Sequence, residues 1–202
     1  DEAFRAHGEH IAAVILEPMN VAWPAPGYLD GVKKAAHAAG ALLVFDETIT
    51  GFRYARGGAQ EYFGVTPDLA TLGKGLANGF PLSAVCGGAN VMKEMEEVFF
   101  SFTMGGEALS LAAAKAVMDK IDREPVMATI KARGEQVLKG VEALIAKHDV
   151  GHFLAPAGHP AWSFLMISDT PDVSAFEIKT LHLLEIFERG ILSLGTHNIS
   201  YA

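Results

Sequence analysis

The chain alternates short, unbroken apolar runs with stretches whose apolar residues recur every three or four positions. "IAAVILE" (11–17) is continuous, the pattern of a parallel strand covered on both faces. "PGYLDGVKKAAHAAG" (26–40) has helical spacing: Pro26 lies near its start, Leu29, Val32, Ala35, Ala36 and Ala39 share one face, and Gly40 stops it. "ALLVFDE" (41–47) reads as a second buried strand, "PDLATLG" (67–73) as a shorter third and "LSAVCGG" (82–88) as a fourth. Strand, helix and strand with short connections form a βαβ unit, which predicts an α/β fold with a parallel sheet and right-handed crossovers.

The pattern then changes. "GEALSLAAAKAVMDKID" (106–122) predicts a long Ala-rich helix whose small residues allow close core packing. Pro125 breaks or restarts it, and "VMATIKARGEQVLKGVEALIAKH" (126–148) predicts a second long helix. "GHFLAPAGHP" (151–160) reads as a loop, "AWSFLMIS" (161–168) as a strand, "VSAFEIKTLHLLEIFERG" (173–190) as a helix ended by Gly190, and "ILSLG" as a further strand. The spacing places an α/β part over 1–122 and an α+β part over 123–202. Trp23 and Trp162 are expected as core or interface anchors.

At 202 residues, half of them hydrophobic, with a net charge of -8, the chain is globular, and it has no basic stripe to neutralise nucleic-acid phosphates. No apolar run approaches the roughly 18–20 residues that span a bilayer. "DEAFRAHGEH" lacks the basic region and apolar core of a signal peptide and an initiator Met, so a piece of a longer protein is expected. The single cysteine, Cys86, excludes an intrachain disulfide and fits a reducing, cytoplasmic setting. His148, His152 and His159 gather in a glycine- and proline-containing stretch without the helical pairing of a zinc site. They are expected as surface histidines, with no metal.

Ligands of open parallel sheets gather beyond the carboxyl ends of the strands. Three polar residues fall there: Glu17, Asp46 and Lys74. A carboxylate such as Asp46 at the tip of an apolar strand is costly unless a cation or donor faces it. Lys74 is pinned between Gly73 and Gly75. A P-loop requires a glycine where Asp68 stands and a hydroxyl where Gly75 stands, so that role fails, and no G-x-G-x-x-G opens a helix. A partly desolvated lysine with a lowered pKa is a nucleophile able to form a Schiff base. Pyridoxal phosphate (PLP) uses such a lysine, together with an acid that keeps its pyridine nitrogen protonated. Lys74 and Asp46 fit that pair.

"AAVILEP" (12–18), "LLVFDETITGFR" (42–53), "PDLATLGKGLANGFPLSAVCGG" (67–88) and "FFSFTMGGEALSLAAA" (99–114), in this order and spacing, resemble the class III aminotransferases. These are PLP enzymes of the aspartate-aminotransferase fold, fold type I. The resemblance implies that 1–122 is the later part of the PLP-binding large domain and 123–202 an incomplete small domain. It implies that Lys74 is the Schiff-base lysine, that Asp46 partners the pyridine nitrogen, and that Thr48 packs against the cofactor ring. It further implies that Thr103 reaches the cofactor phosphate of the neighbouring subunit in a homodimer, and that the segment after Glu17 frames the substrate side. Ile49 stands where many omega-aminotransferases carry glutamine and is more like the glutamate-1-semialdehyde aminomutase branch. Met104, Gly105, Gly106 and Glu107 depart from that branch's usual sequence. The family's phosphate-cradling glycine/serine loop and stacking aromatic would precede Asp1.

The function expected is amino-group transfer between a small amino donor and a carbonyl acceptor, or within one molecule. Two alternatives stay open: a racemase- or decarboxylase-like relative on the same fold, and a non-catalytic interaction module in which Lys74 and Asp46 merely form a salt bridge.

Overall fold

The computed structural model describes residues 2–201. The chain divides into two compact units, one of residues up to Met19 with Pro24–Met127, the other of Asn20–Trp23 with the residues from Ala128 onward.

The first unit opens with a short helix α1 (Glu2–His7), then β1 (Ala13–Leu16), α2 (Tyr28–Ala38), β2 (Leu42–Glu47), α3 (Gly58–Phe63), β3 (Leu69–Leu72), β4 (Ala84–Gly87), α4 (Ala89–Met92) and α5 (Ala108–Arg123). The sheet order is β1-β2-β3-β4. β1, β2 and β3 are parallel, as the βαβ reading predicts, whereas β4 returns antiparallel to β3. The linker between β3 and β4 holds only a 3-10 turn over Lys74–Leu76, with no crossover helix to carry the chain back, so the strand must reverse.

β2 shows why one face of the sheet is core. Its burial alternates strictly, with Leu43, Phe45 and Glu47 buried and Leu42, Val44 and Asp46 partly open. Leu43 and Phe45 pack with Leu29 of α2 and with Leu16, Val32, Phe63 and Val65. Each such large side chain contributes about 1.5–3 kcal/mol by leaving water. The other face is more open than the continuous apolar runs imply. Ala13 and Ile15 of β1 are exposed, and so are Val85, Cys86 and Gly87 of β4. The expectation of strands covered on both faces fails here because the helices that pack on β2, α2 and α3, both lie on the side of Leu43, Phe45 and Glu47. A second cluster joins Leu76 and Ala77, just after β3, to Ala114 of α5. The Ala-rich helix does serve close packing.

Glu107, unassigned by sequence, caps α5. Its carboxylate accepts from the amides of Leu109 at 2.7 Å and Ser110 at 2.8 Å and from the Ser110 hydroxyl at 2.7 Å. These bonds, the Ser110 side chain foremost, hold its carboxyl below the usual range. A negative side chain at this end also complements the helix dipole.

α3 was not evident in the sequence. Gly58 opens it at φ +77°, and a Cβ there would overlap the Glu47 carboxylate. Gly58→Ala is therefore expected to destabilise the protein by about 1–3 kcal/mol from backbone strain, before any clash is counted. Equilibrium denaturation of the full-length variant measures it; a loss below about 0.5 kcal/mol would contradict the packing described.

The second unit contains α6 (Val126–His148), matching its predicted bounds, then β5 (Leu154–His159), β6 (Trp162–Ile167), α7 (Ala175–Glu188) and β7 (Thr196–Asn198). The sheet order β5-β6-β7 is antiparallel throughout. Two expectations are corrected. The stretch 151–160 is no plain loop, because β5 pairs with β6 from Leu154 to His159; Pro156 is tolerated there because β5 is an edge strand. The last strand is Thr196–Asn198 rather than 191–195, where Ile191, Leu192 and Leu194 are exposed. α7 begins with a capping box, Ser174 and Glu177 bonding reciprocally.

His159 is also corrected: it is buried, not a surface histidine, while His148 and His152 are exposed. Its Nδ1 accepts from the Ala161 amide at 3.0 Å, and its ring lies 5.6 Å from that of Trp23. Trp162 is core, but Trp23 is half exposed and donates from Nε1 to the Gly158 carbonyl at 3.3 Å. Burial, with a smaller effect of Lys131, pushes His159 down to about 4. An unfolded imidazole protonates near pH 6.5, so acid favours the unfolded chain. The contribution of this group is complete above about pH 6.5 and is lost toward pH 4, by up to about 1.4 kcal/mol per pH unit. Denaturation of the full-length protein across that range should show the slope, and His159→Gln should flatten it.

Candidate active site

The carboxyl ends of β1, β2 and β3 bring Glu17, Asp46 and Lys74 to one end of the sheet. In register, Leu16 lies beside Phe45, and Asp46 beside Thr71. Asp46 is partly buried on the face of β2 opposite the core. Its Oδ1 accepts from the Thr48 amide at 3.0 Å and from the Thr71 hydroxyl at 3.1 Å. Hydrogen bonding from the Thr48 side chain is the largest of the causes that hold Asp46 below the usual carboxylate range. The Thr48 amide, Thr71 and the charge of Lys74 add to it, and partial burial opposes it. A carboxylate so supplied with donors stays ionised and open on one side.

Lys74 leaves the end of β3 at the start of the 3-10 turn, with φ +38°. That conformation costs a non-glycine residue on the order of 1 kcal/mol. Phe52, at +55°, lies beside Gly75 in space and Asn78, at +45°, follows the turn in sequence, so three of the four non-glycine residues with positive φ among those described border this end of the sheet. The two glycines around Lys74 now have a reason. A Cβ on Gly73 would stand 3.3 Å from Thr48 Cγ2, and one on Gly75 would stand 3.3 Å from the Gly51 carbonyl oxygen. The lysine turn is pressed against the turn that follows Asp46, and only glycine fits without displacing it.

One expectation about Lys74 is corrected: it is exposed, not buried or desolvated. Its nearest neighbours in the turn are glycines, which offer no side chain to cover it. Among the described residues it forms no ion pair with Asp46, although its charge acts on that carboxyl. The two charges are near each other and neither is consumed by the other.

A cavity of about 390 Å³ opens beside this face, lined by Thr48 and Thr71, both donors to Asp46, with Ser83, Phe100, Phe102 and Met104. Thr103 lies exposed in the turn between Phe102 and Met104 and does not line it. Glu17 is exposed on the neighbouring strand end, close enough for its charge to act on Tyr54. Asp46, Thr48 and Lys74 are thus brought together, while Thr103 and Glu17 stand at the margin. Sequence reasoning missed two residues. Thr71 could have been found from its place two residues before Gly73 on the strand beside Asp46. The alternation of "LLVFDE" sends Glu47 to the face opposite Asp46, but no signal in the sequence shows its partners Ala59 and Gln60.

These residues suit PLP: an ionised carboxylate for the pyridine nitrogen, an amine free of an ion pair, and a backbone held in strained turns around both. Among the described residues no group of three or more metal-ligating side chains gathers, and no helix is long and apolar enough to cross a membrane.

Comparison with known proteins agrees with this geometry. Residues 2–159 match the family model for aminotransferase class-III, and the chain belongs to that family. It is 34% identical over 197 residues to a glutamate-1-semialdehyde 2,1-aminomutase of Syntrophobacter fumaroxidans, covering 94% of this chain and 46% of the relative. It is 41% identical over 203 residues to the enzyme of the same name from Thermomicrobium roseum, covering 96% of this chain and 47% of the relative. Among solved structures, the PLP internal aldimine form of the Sphingopyxis sp. MTA144 FumI protein superposes with a TM-score of 0.87 at 29% identity, over 98% of this chain and 48% of that one. A β-phenylalanine aminotransferase from Variovorax paradoxus superposes with a TM-score of 0.86 at 26% identity, over 99% and 50%. The fold is therefore the PLP-dependent transaminase fold, α/β with a mostly parallel sheet. The chain spans about half the length of the relatives it matches.

Proposed function

We propose that the protein to which these residues belong is a PLP-dependent enzyme that transfers an amino group, either from a small amino donor to a carbonyl acceptor or within one molecule. The observation that carries this reading is the pairing of an ionised, half-open Asp46 with an exposed Lys74 at the ends of adjacent parallel strands. The aminomutases among the relatives support transfer within one molecule as one of the two modes.

Lys74 would be the covalent anchor for PLP, through a Schiff base at Nζ. Asp46 would pair with the pyridine nitrogen, and Thr48 would pack against the ring. Thr103 would reach the phosphate held by the other subunit of a homodimer, and Glu17 would border the substrate side. Residues 1–122 would form the later part of the large domain and 123–202 part of the small domain. When bound, PLP withdraws electrons from the carbon that carries the amino group, so that a proton there becomes removable. The amine of Lys74, Nζ, would also be the group placed to take this proton and to return it. Asp46, whose donors favour its charged form, would keep that nitrogen protonated.

Borohydride treatment of the full-length protein after PLP loading, followed by peptide mass spectrometry, tests the anchor. A reduced PLP adduct is expected on Lys74, and an unmodified Lys74 would refute the reading. Assays with amino donor and acceptor pairs, beside isomerisation of glutamate 1-semialdehyde, separate the two modes of transfer.

A further inference from the structure

Glu47 follows Asp46 on β2 and points to the opposite face, where it has no exposed surface. A buried carboxylate costs several kcal/mol unless donors satisfy it. Four donors do. Its Oε2 accepts from the Thr50 hydroxyl at 2.9 Å and the Ala59 amide at 2.6 Å. Its Oε1 accepts from the Gln60 amide at 2.9 Å and from Gln60 Nε2 at 3.2 Å.

Those donors belong to two segments, the turn after β2 and the first turn of α3. The same turn after β2 carries Thr48, whose amide meets Asp46 Oδ1. The Gly51 amide closes this turn on the Glu47 carbonyl at 2.8 Å. A Cβ at Gly51 would run into that carbonyl and Leu72, and Gly58 leaves space for the carboxylate itself. The turn is built around Glu47 on one side and around Asp46 on the other. Gly73 and Gly75 then press the lysine turn onto the same segment, against Thr48 and Gly51.

We propose that Glu47 is a positioning residue for the PLP site: its buried carboxylate fixes turn 48–51 and thereby the orientation of Asp46 and the seat of Lys74. This rests on the PLP reading above. A carboxylate that only stapled α3 to the sheet would satisfy the same donors without governing what Asp46 does, and the two roles separate by experiment.

The test uses the full-length protein with Glu47→Gln, which keeps the shape but turns an amide N–H₂ toward the donors, and with Thr50→Val, which removes one donor and leaves the carboxylate. In the PLP-free protein, hydrogen exchange over 46–52 should quicken at least about tenfold in Glu47→Gln, while β1 and β6 keep their protection. After loading, the pH midpoint of the bound-PLP absorption band should move by about one unit. PLP should also dissociate about tenfold more readily. Thr50→Val should shift each readout in the same direction by less, and it decides the matter if Glu47→Gln does not fold. Lowered global stability with wild-type exchange at 46–52, band midpoint and PLP affinity would overturn the proposal and leave Glu47 as a staple. A wild-type protein that takes no borohydride-fixed PLP would overturn the functional reading instead, and the exchange at 46–52 would then judge Glu47 alone.

Discussion

Replacing Lys74 with alanine in the full-length protein is expected to abolish covalent PLP attachment and amino transfer together. The other lysines of the chain lie on α2, α5, α6 and α7 or in the 3-10 turn after α4, none of them at a carboxyl end of the parallel strands. Lys74 would serve as anchor and as proton carrier, so two roles disappear with one side chain. The proton-transfer role by itself is worth up to about ten-thousandfold in rate. The strain at Lys74 adds a useful control. Alanine at φ +38° faces the same backbone cost as lysine, so the variant should fold with nearly wild-type stability. Single-turnover rates and borohydride labelling, read beside a thermal melt, check this. A reducible PLP adduct surviving on a different lysine would refute the assignment.

Asp46→Asn should leave PLP bound and turnover crippled. The variant keeps the shape of the side chain and an oxygen to accept from Thr48 and Thr71, so the turn should hold. What it loses is the charge that Thr48, Thr71 and Lys74 all favour. A neutral amide cannot keep the pyridine nitrogen protonated. A loss of about 4 kcal/mol of transition-state stabilisation corresponds to about a thousandfold in rate. Single-turnover measurement at saturating PLP separates this from weaker binding. A fall of less than about tenfold would show that Asp46 does not touch the reacting system electronically. The lowered pKa has its own consequence. Stability from Asp46 is present above the ordinary carboxylate range and fades as pH falls through the folded value, the opposite side of neutrality from a group whose pKa is raised.

Much of the candidate site was legible in the sequence because its parts are local. An acid ending an apolar strand and a lysine between glycines after the next parallel strand are features of short segments. A parallel sheet necessarily brings such segments to the same end. Thr48 belongs to the same stretch. Glu47 was not legible, because its function depends on Ala59 and Gln60, a dozen or so residues away in a helix that hydrophobic periodicity did not reveal. α3 is only "GAQEYF", too short to show a helical face, and its first amides donate to the Glu47 carboxylate. β5 was hidden for a related reason. Its proline and glycine, Pro156 and Gly158, read as loop, and only pairing to β6 makes it a strand.

By itself, then, the sequence determined the four strands of the first unit with α2, α5 and α6, the resemblance to class III aminotransferases, and Asp46, Thr48 and Lys74 as candidates with chemistry to offer. Hydrophobic period and residue type act over a few positions, and they survive without knowledge of neighbours. The tertiary structure decided what depends on long-range placement: that β4 runs antiparallel, that Lys74 is exposed rather than desolvated, and that His159 is buried and neutral. It also decided that Glu47 meets Thr50, Ala59 and Gln60 on its buried face. Burial and hydrogen-bond satisfaction are properties of surfaces brought together by the fold, and no stretch of chain carries them alone.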